Sequence, residues 1–468
     1  MKNKKTTLDL TNGAPLPLLL RFCLPILLGN IMQQFYNMVD AAVVGQSVGT
    51  DALAAVGATG AITFLVIGFV DGMCAGFCIP VAQSFGAGDR SMLRRCIINI
   101  IYLAVFFSVV LTVATSLSLD WMLHAMDFPD DIFADSKIYL RVIFLGIHAT
   151  ILYDTGAALM RAMGNSRTPL FVLAIASLVN VVLDLLFVCV FKMGVFGAAV
   201  ATITAQVISG VVCLIYIIRN YPELYSFESD VEKKFSPSIA RRLALSGLPM
   251  ALQYSITAIG SVLIQAAVNN LGSVVVASVT AANKVQSFVH LPFSTLGVAI
   301  STWCGQNMGA GRYDRIKDGI RCGLTIAGIY SIAMGVVMFF AGEYISLIFI
   351  DRTDLRFAEI MDYVRQFLRT NCLFYIPLGV LTVCRFGLQG LEYGVTAMFA
   401  GLFEMLARGI VALTFARAYG FDAICYANPA AWFAACLLLV PACLVVFPKI
   451  RRRLEASVSP GASVGESK

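Results

Sequence analysis

The sequence predicts an all-α integral membrane protein: twelve transmembrane helices in two six-helix bundles related by a parallel internal repeat. Three observations lead there. The chain is 59% hydrophobic and only 13% charged, with mean hydropathy +0.81, whereas a soluble protein carries about 25% charged residues. Apolar stretches of roughly 20 residues, the length that crosses a hydrocarbon core of about 30 Å, recur along the whole length. One short loop occurs twice, as Gln83-Ser84-Phe85-Gly86-Ala87-Gly88 and as Gln306-Asn307-Met308-Gly309-Ala310-Gly311, and each copy ends an apolar stretch. A long-period repeat in a membrane protein implies two homologous halves, an arrangement common among secondary transporters.

Breaks of Gly, Pro and charge place the apolar stretches in order. The first opens near Leu16 and contains Pro25. The second opens near Ala52 and closes on the first copy of the repeated loop, followed by Arg90, Arg94 and Arg95. The third to sixth open near Ile97, Ile138, Pro169 and Val195. The second half repeats the plan. Its stretches open near Leu243 (with Pro249 where the first has Pro25), Thr280, Gly323, Tyr363, Val395 and Ile424. The eighth stretch closes on the second loop, followed by Arg312, Arg315, Lys317 and Arg321. Tyr139 and Arg141 recur as Tyr363 and Arg365. The organisation expected is a cytoplasmic segment 1–15, a first bundle 16–219, a polar linker 220–242, a second bundle 243–448 and a basic, disordered tail 449–468. Six helices per half give both halves the same orientation.

Positive charge orients the chain. With the amino terminus inside, the inner segments take most of the 34 Lys and Arg. They hold Lys2, Lys4 and Lys5, the basic residues after each repeated loop, Arg161, Arg167, Arg219, Lys233, Lys234, Arg241, Arg242, Arg385 and the tail from Lys449. The outer segments hold only Lys137, Lys192, Arg352, Arg356 and Arg417. This bias predicts a multi-pass plasma-membrane protein with both termini cytoplasmic. The net charge of +6 reflects that topology; being scattered over separate loops, it argues against nucleic acid as a partner. No cleavable leader is expected, because the first apolar stretch runs past signal length. The thirteen cysteines have no zinc-like spacing and read as small buried apolar residues. His124, His148 and His290 are dispersed, and neither a nucleophile elbow nor a phosphate-binding loop is present, so an enzyme is not expected.

Charges inside membrane spans are costly, and each needs a reason. The first half carries Asp40, Asp71, Asp154 and Asp184; the second carries Lys284, Glu404 and Arg408. Asn180 and Asp184 share a helix face at i, i+4, with Ser177 a turn earlier. Thr202 joins them if the fifth and sixth helices pack as antiparallel neighbours, and Asp40 completes the group. Two carboxylates, an amide oxygen and a hydroxyl suit a hard cation such as Na+, and equally suit proton exchange. The other reading is isolated polar groups that hydrogen-bond between helices. Glu404 and Arg408 read as a self-neutralising i, i+4 ion pair, with substrate or proton handling as the alternative. Lys284 either snorkels to the surface or faces a cavity. Gln34, Tyr36, Asp71, Tyr139 and Asp154 complete the candidate cavity or relay groups.

Together these residues resemble the multidrug and toxic compound extrusion (MATE) family, over about 15–450. The resemblance rests on Leu24-Pro25, on Gln34 through Gly45 (QFYNMVDAAVVG), on the two loops, and on Leu159 through Pro169 (LMRAMGNSRTP). It implies a pair of six-helix bundles that expels amphiphilic, often cationic compounds in exchange for Na+ or H+, without cofactor or obligate protein partner. In several members an Asp on the first helix, an Asn and an Asp on the fifth and a Thr on the sixth form the coupling site; Asp40, Asn180, Asp184 and Thr202 match. The acids that some members carry on the seventh and tenth helices are absent here. The alternative function, from related folds, is a lipid-linked oligosaccharide flippase.

Overall fold

The computed structural model describes residues 7–126, 128–224, 226, 230–350, 352 and 355–458. Twelve long helices follow one another, with no strand among the described residues. In the first half they are α1 (Pro15–Ser47), α2 (Thr50–Ala58 continued by Gly60–Gly86), α3 (Arg90–Ala125), α4 (Asp130–Leu145 with Ile147–Ala162), α5 (Arg167–Val190) and α6 (Gly194–Asn220). In the second half they are α7 (Pro237–Asn269), α8 (Ser273–Gly309), α9 (Tyr313–Ser346), α10 (Phe357–Cys372 with Tyr375–Gly390), α11 (Gly394–Tyr419) and α12 (Phe421–Val458). Among the described residues nine spans are long and apolar enough to cross a membrane, and the bent pairs of α4 and α10 bring the number to eleven. The twelfth, α8, has 37 residues, about 55 Å at 1.5 Å per residue; Asn283, Lys284, Gln286 and His290 lower its hydropathy.

Several helices begin well before their apolar stretch. α3 starts at Arg90 rather than near Ile97, where Asp89 caps it by accepting a 2.9 Å hydrogen bond from the Met92 amide. α9 starts at Tyr313 and takes in Arg315, Lys317 and Arg321. Hydropathy marks the part of a helix that meets hydrocarbon, while the backbone ladder continues into polar surroundings. α12 likewise carries Lys449–Arg453 on helix to Val458, so the basic part of the expected tail is ordered; residues 459–468 lie outside the described residues. The linker is structured too. It holds a 3-10 turn at Pro222–Leu224 and a short helix at Asp230–Lys233. Arg94 grips Glu232 there with two buried hydrogen bonds of 2.8 and 2.9 Å.

The chain forms two compact units. One is built mainly from Leu20–Val81 and Asp89–Ile259, the other from Leu10–Leu19, Ala82–Gly88 and the chain from Gly260 onward. In the first, α7 lies close on α2: a Cβ on Gly72 would meet the Met250 carbonyl oxygen at 2.7 Å, and one on Gly76 would meet the Gly247 Cα at 2.5 Å. Packing order repeats between halves. α2 packs on α4, α4 on α6 and α6 on α5; α8 packs on α10, α10 on α12 and α12 on α11. α4 bends by 49° and α10 by 51°. α5 has a π-turn at Leu185–Val190, and α11 has one at Val411–Phe415. Apolar stripes on α3 (Val105, Val109, Val113) and α9 (Ile329, Ile332, Val336) are exposed, as the faces of a multi-span membrane protein toward lipid must be.

The repeated loops meet each other. A Cβ on Gly86 would fall 1.9 Å from the Gln306 carbonyl oxygen, and one on Gly309 would fall 1.8 Å from the Gln83 carbonyl oxygen. Glycine is required at both because backbone approaches backbone. The basic residues after the second loop hold the chain that precedes α1. Arg315 donates to the carbonyls of Leu10 (2.9 Å) and Gly13 (2.8 Å), Arg312 to that of Thr11 (2.6 Å), and the Asn307 amide to that of Leu10 (3.2 Å).

Candidate coupling site

Asn180 and Asp184 stand one turn apart on α5 and are buried at 2% and 0% exposure. Asp184 closes the regular part of α5, immediately before the π-turn. The widened turn costs one regular hydrogen-bond register and is a frequent mark of functional sites in helices. α6 packs against α5 and brings Thr202 to the same cleft as Asn180, together with Ser177, Gln33, Tyr36 and Gln206. The Thr202 hydroxyl donates to the Ala198 carbonyl at 3.1 Å, which leaves its lone pairs available. Asp40 on α1 is buried, and its charge reaches Asp184. Tyr139 on α4 lies within the field of both carboxylates. The four residues expected from spacing thus belong to one neighbourhood of the first unit: Asn180 with Thr202 in the cleft, Asp184 with Asp40 beside it.

The polar atoms here are conspicuous for what they lack. Asp40 Oδ1, both carboxylate oxygens of Asp184, and both Oδ1 and Nδ2 of Asn180 are buried without a hydrogen-bond partner in the protein. Buried polar atoms are almost always satisfied, and leaving a charged one bare costs far more than a neutral one. The donor set is oxygen-rich and suits a hard monovalent cation or a proton. Among the described residues no group of three or more His, Cys, Asp or Glu side chains forms a metal centre; a cation here would use amide and hydroxyl oxygens beside the carboxylates.

A second acid pair adjoins the first. Asp71 on α2 and Asp154 on α4 lie close enough for each carboxyl to act on the other, and Asp154 Oδ2 is buried without a hydrogen-bond partner. Asp71 is exposed to solvent. Arg161 acts on both carboxyls. Tyr36 feels Asp40, Asp154 and Asp71 and bonds to Gln33, so it stands between the two pairs. The sequence offers Asp71 and Asp154 only as separate candidates, because nothing local signals a contact between helices so far apart in the chain. Gln34 is partly exposed; its neighbour Gln33, which local reading passed over, lines the cleft. Gln206, hydrogen-bonded by Thr150, was passed over too.

In the second unit Glu404 meets Arg408 at 3.5 Å, as the i, i+4 spacing predicts, but it is also in direct contact with Arg385. Arg385 does not belong to an inner loop: it is a buried residue of α10, at 7% exposure. The cluster is therefore a triad with two cations and one anion, and the reading of a self-neutralising pair is corrected. Lys284 is exposed, with its ammonium 5.6 Å from the Phe349 ring centre.

Residues 25–186 and 249–414 each match the MatE family, one match per half. The chain belongs to the MatE family. Among curated relatives, the probable multidrug resistance protein YpnP of Bacillus subtilis (strain 168) is 29% identical over 391 residues, 83% of this chain and 85% of that one. The probable multidrug resistance protein YoeA of the same organism is 27% identical over 345 residues, 72% of this chain and 74% of that one. Among solved structures, a crystal structure of MATE in complex with MaL6 superposes with TM-score 0.83 at 20% identity, covering 96% of this chain and 98% of that one. An outward-facing MATE family transporter of the MOP superfamily superposes with TM-score 0.82 at 21% identity, covering 96% and 97%. The twelve-helix, two-half fold is thus the MATE fold, and the protein is a transporter rather than an enzyme. Transporters of this family bind small-molecule substrates and need no cofactor.

Proposed function

We propose that this MatE protein is a secondary active antiporter of the plasma membrane, with both termini cytoplasmic, that exports amphiphilic, often cationic drugs or toxins in exchange for Na+ or H+. The observation that carries this is the set of buried, unpartnered polar atoms on Asp40, Asn180 and Asp184. Such a set is unstable as bare anions and is stabilised by whichever cation enters. When the cation leaves, Asp40 and Asp184 repel, and α1 and α5 have breaks that can yield: Pro25 inside α1 and the π-turn after Asp184. Coupling then requires only that ion and substrate favour different states of the transporter. The relatives' names as multidrug resistance proteins support the substrate class, and the acidic cleft favours cationic substrates over the anionic head of a lipid-linked sugar.

The deciding experiment is ethidium efflux from proteoliposomes with a Na+ gradient or a pH gradient imposed separately. One gradient is expected to drive efflux in the wild type and to fail in Asp184→Asn. Efflux that survives neutralisation of both Asp40 and Asp184 would remove the site assignment.

A further inference from the structure

The first unit has a hollow between α3, α4 and α6, apart from its acidic cleft. Small residues press α4 and α6 together. A Cβ on Gly210 would fall 2.8 Å from Leu152 Cγ, and one on Gly156 would fall 3.0 Å from Cys213 Cβ. α3 faces this pair with Ala104 and Ser108, whose side chains are too short to fill the space before them. A cavity of about 330 Å³ remains, within the range of small-molecule sites. Its floor is apolar and buried, at Ile100, Ile151, Leu159 and Ile217. Its rim is Ile101, Val105 and Val109, which are 50%, 61% and 60% exposed. That rim belongs to the stripe that α3 turns toward lipid, so the hollow opens sideways onto the bilayer.

Two polar side chains stand at one end of it. α3 and α4 are consecutive spans of opposite direction, so His148, early in the second limb of α4, lies toward Ser108 and Val109, and Leu159 lies toward Ile97. Ile97 to Val109 covers about 18 Å of α3 at 1.5 Å per residue, close to the depth of one leaflet's hydrocarbon, about 15 Å. Among the described residues neither His148 nor Ser108 makes a hydrogen bond. An imidazole N–H and a hydroxyl are both donors, and a polar group left facing hydrocarbon without a partner is costly. No Asp, Glu, Lys or Arg lines the hollow, so an ionic ligand would have no counter-charge there. We infer that the hollow is a binding site for an uncharged lipophilic molecule that enters from the bilayer and carries a carbonyl oxygen, which His148 and Ser108 hold. Its apolar body lies on the floor of Ile100, Ile151 and Ile217. α4 separates this site from the acids: it turns His148, Leu152 and Leu159 to the hollow and Tyr153 to the acidic cleft. The two sites therefore sort ligands by charge, the cleft taking cations and the hollow neutral compounds.

The test is photolabelling of the full-length protein, reconstituted in phosphatidylcholine vesicles, with benzophenone, a neutral aromatic ketone. Labelled peptides are mapped by mass spectrometry. Labelling is expected to concentrate on 97–109 of α3 and 148–159 of α4, well above that of the exposed α9 stripe at Ile329, Ile332 and Val336. Fluorenone and fluorene, which differ by one carbonyl, then compete at equal concentration in the bilayer. Fluorenone is expected to compete about five-fold better, the worth of one net hydrogen bond, and the ratio is expected to fall toward one in His148→Leu. Ala104→Phe and Ser108→Leu, which fill the hollow from its lipid side, are each expected to lower labelling there to the α9 level without moving the unfolding midpoint. Labelling spread evenly over α3, α4 and α9 would overturn the inference, because the hollow would then only touch bulk lipid. So would full labelling retained in both filled variants. Equal competition by fluorene and fluorenone, or an unchanged ratio in His148→Leu, would overturn the carbonyl assignment. The readout is binding without any gradient, so its result is independent of the export reading.

Discussion

The two halves share a backbone and differ in charge. Each has a helix closed by the same Gln-Gly loop, a bent fourth helix, a fifth helix broken by a π-turn, and a left-handed glycine opening the sixth. On this common frame the first half places Asp40, Asp71, Asp154 and Asp184, and the second places Arg385, Glu404 and Arg408. In the first half Asp40 and Asp184 hold buried oxygens without a hydrogen-bond partner; in the second, Arg385 and Arg408 both contact Glu404. A repeat therefore conserves the irregularities of a helix bundle, because these set packing, while each half places its charged side chains at positions of its own. The halves specialise by charge on one geometry.

The largest effect expected on this comparison is from Glu404→Gln. It removes the carboxylate that two buried guanidinium groups contact and is expected to cost about 3–5 kcal/mol, seen as a lower thermal unfolding midpoint of the purified protein. A midpoint unchanged from wild type would mean that the second half's charges are independent of one another. Next come Gly86→Ala and Gly309→Ala, each expected to cost about 3 kcal/mol or more because the new methyl overlaps a backbone carbonyl. The two should be equal within error; a large difference would break the equivalence of the loops. Asp184→Asn goes the other way. Its carboxylate has no protein partner to lose, so the apo midpoint is expected to hold or rise. The coupling ion, which at about 100 times its dissociation constant stabilises the wild type by about 2.7 kcal/mol, should leave this variant unmoved. A shift that persists in Asp184→Asn would relocate the ion site. The smallest effect is expected for Lys284→Met, about 0.5 kcal/mol, since its exposed ammonium contributes only a cation–π contact with Phe349. A loss of transport at that position would place Lys284 in the substrate path instead.

How far the site could be read in advance depends on distance along the chain. Asn180 and Asp184 share a face by helical period alone, and Glu404 and Arg408 meet for the same reason. Helix periodicity is a local property, and the sequence displays it. The meeting of Asp71 with Asp154, the reach of Asp40 to Asp184 and the contact of Arg385 with Glu404 join different helices, and no spacing rule predicts them. Arg385 shows the risk: close to the end of α10, with polar residues following, it reads as a loop cation, yet it turns inward to a carboxylate on α11. Gln33 was passed over for Gln34 because adjacent residues on a helix differ by about 100° in direction, and only the packed neighbours say which of them lines the cleft.

Composition and periodicity by themselves determined a membrane protein of twelve helices in two repeated halves, because hydrocarbon demands long apolar helices and a repeat leaves its loops in the sequence. They also picked out the intramembrane charges other than Arg385, since each is costly enough to be conspicuous. Tertiary structure alone decided which charges pair, why Gly86 and Gly309 cannot carry a side chain, how Leu10–Gly13 is held by Arg312 and Arg315, and that one half keeps buried acids with unpartnered oxygens while the other gathers Arg385 and Arg408 on Glu404. Those are relations between helices, and they exist only once packing has brought distant residues within a few ångströms of each other.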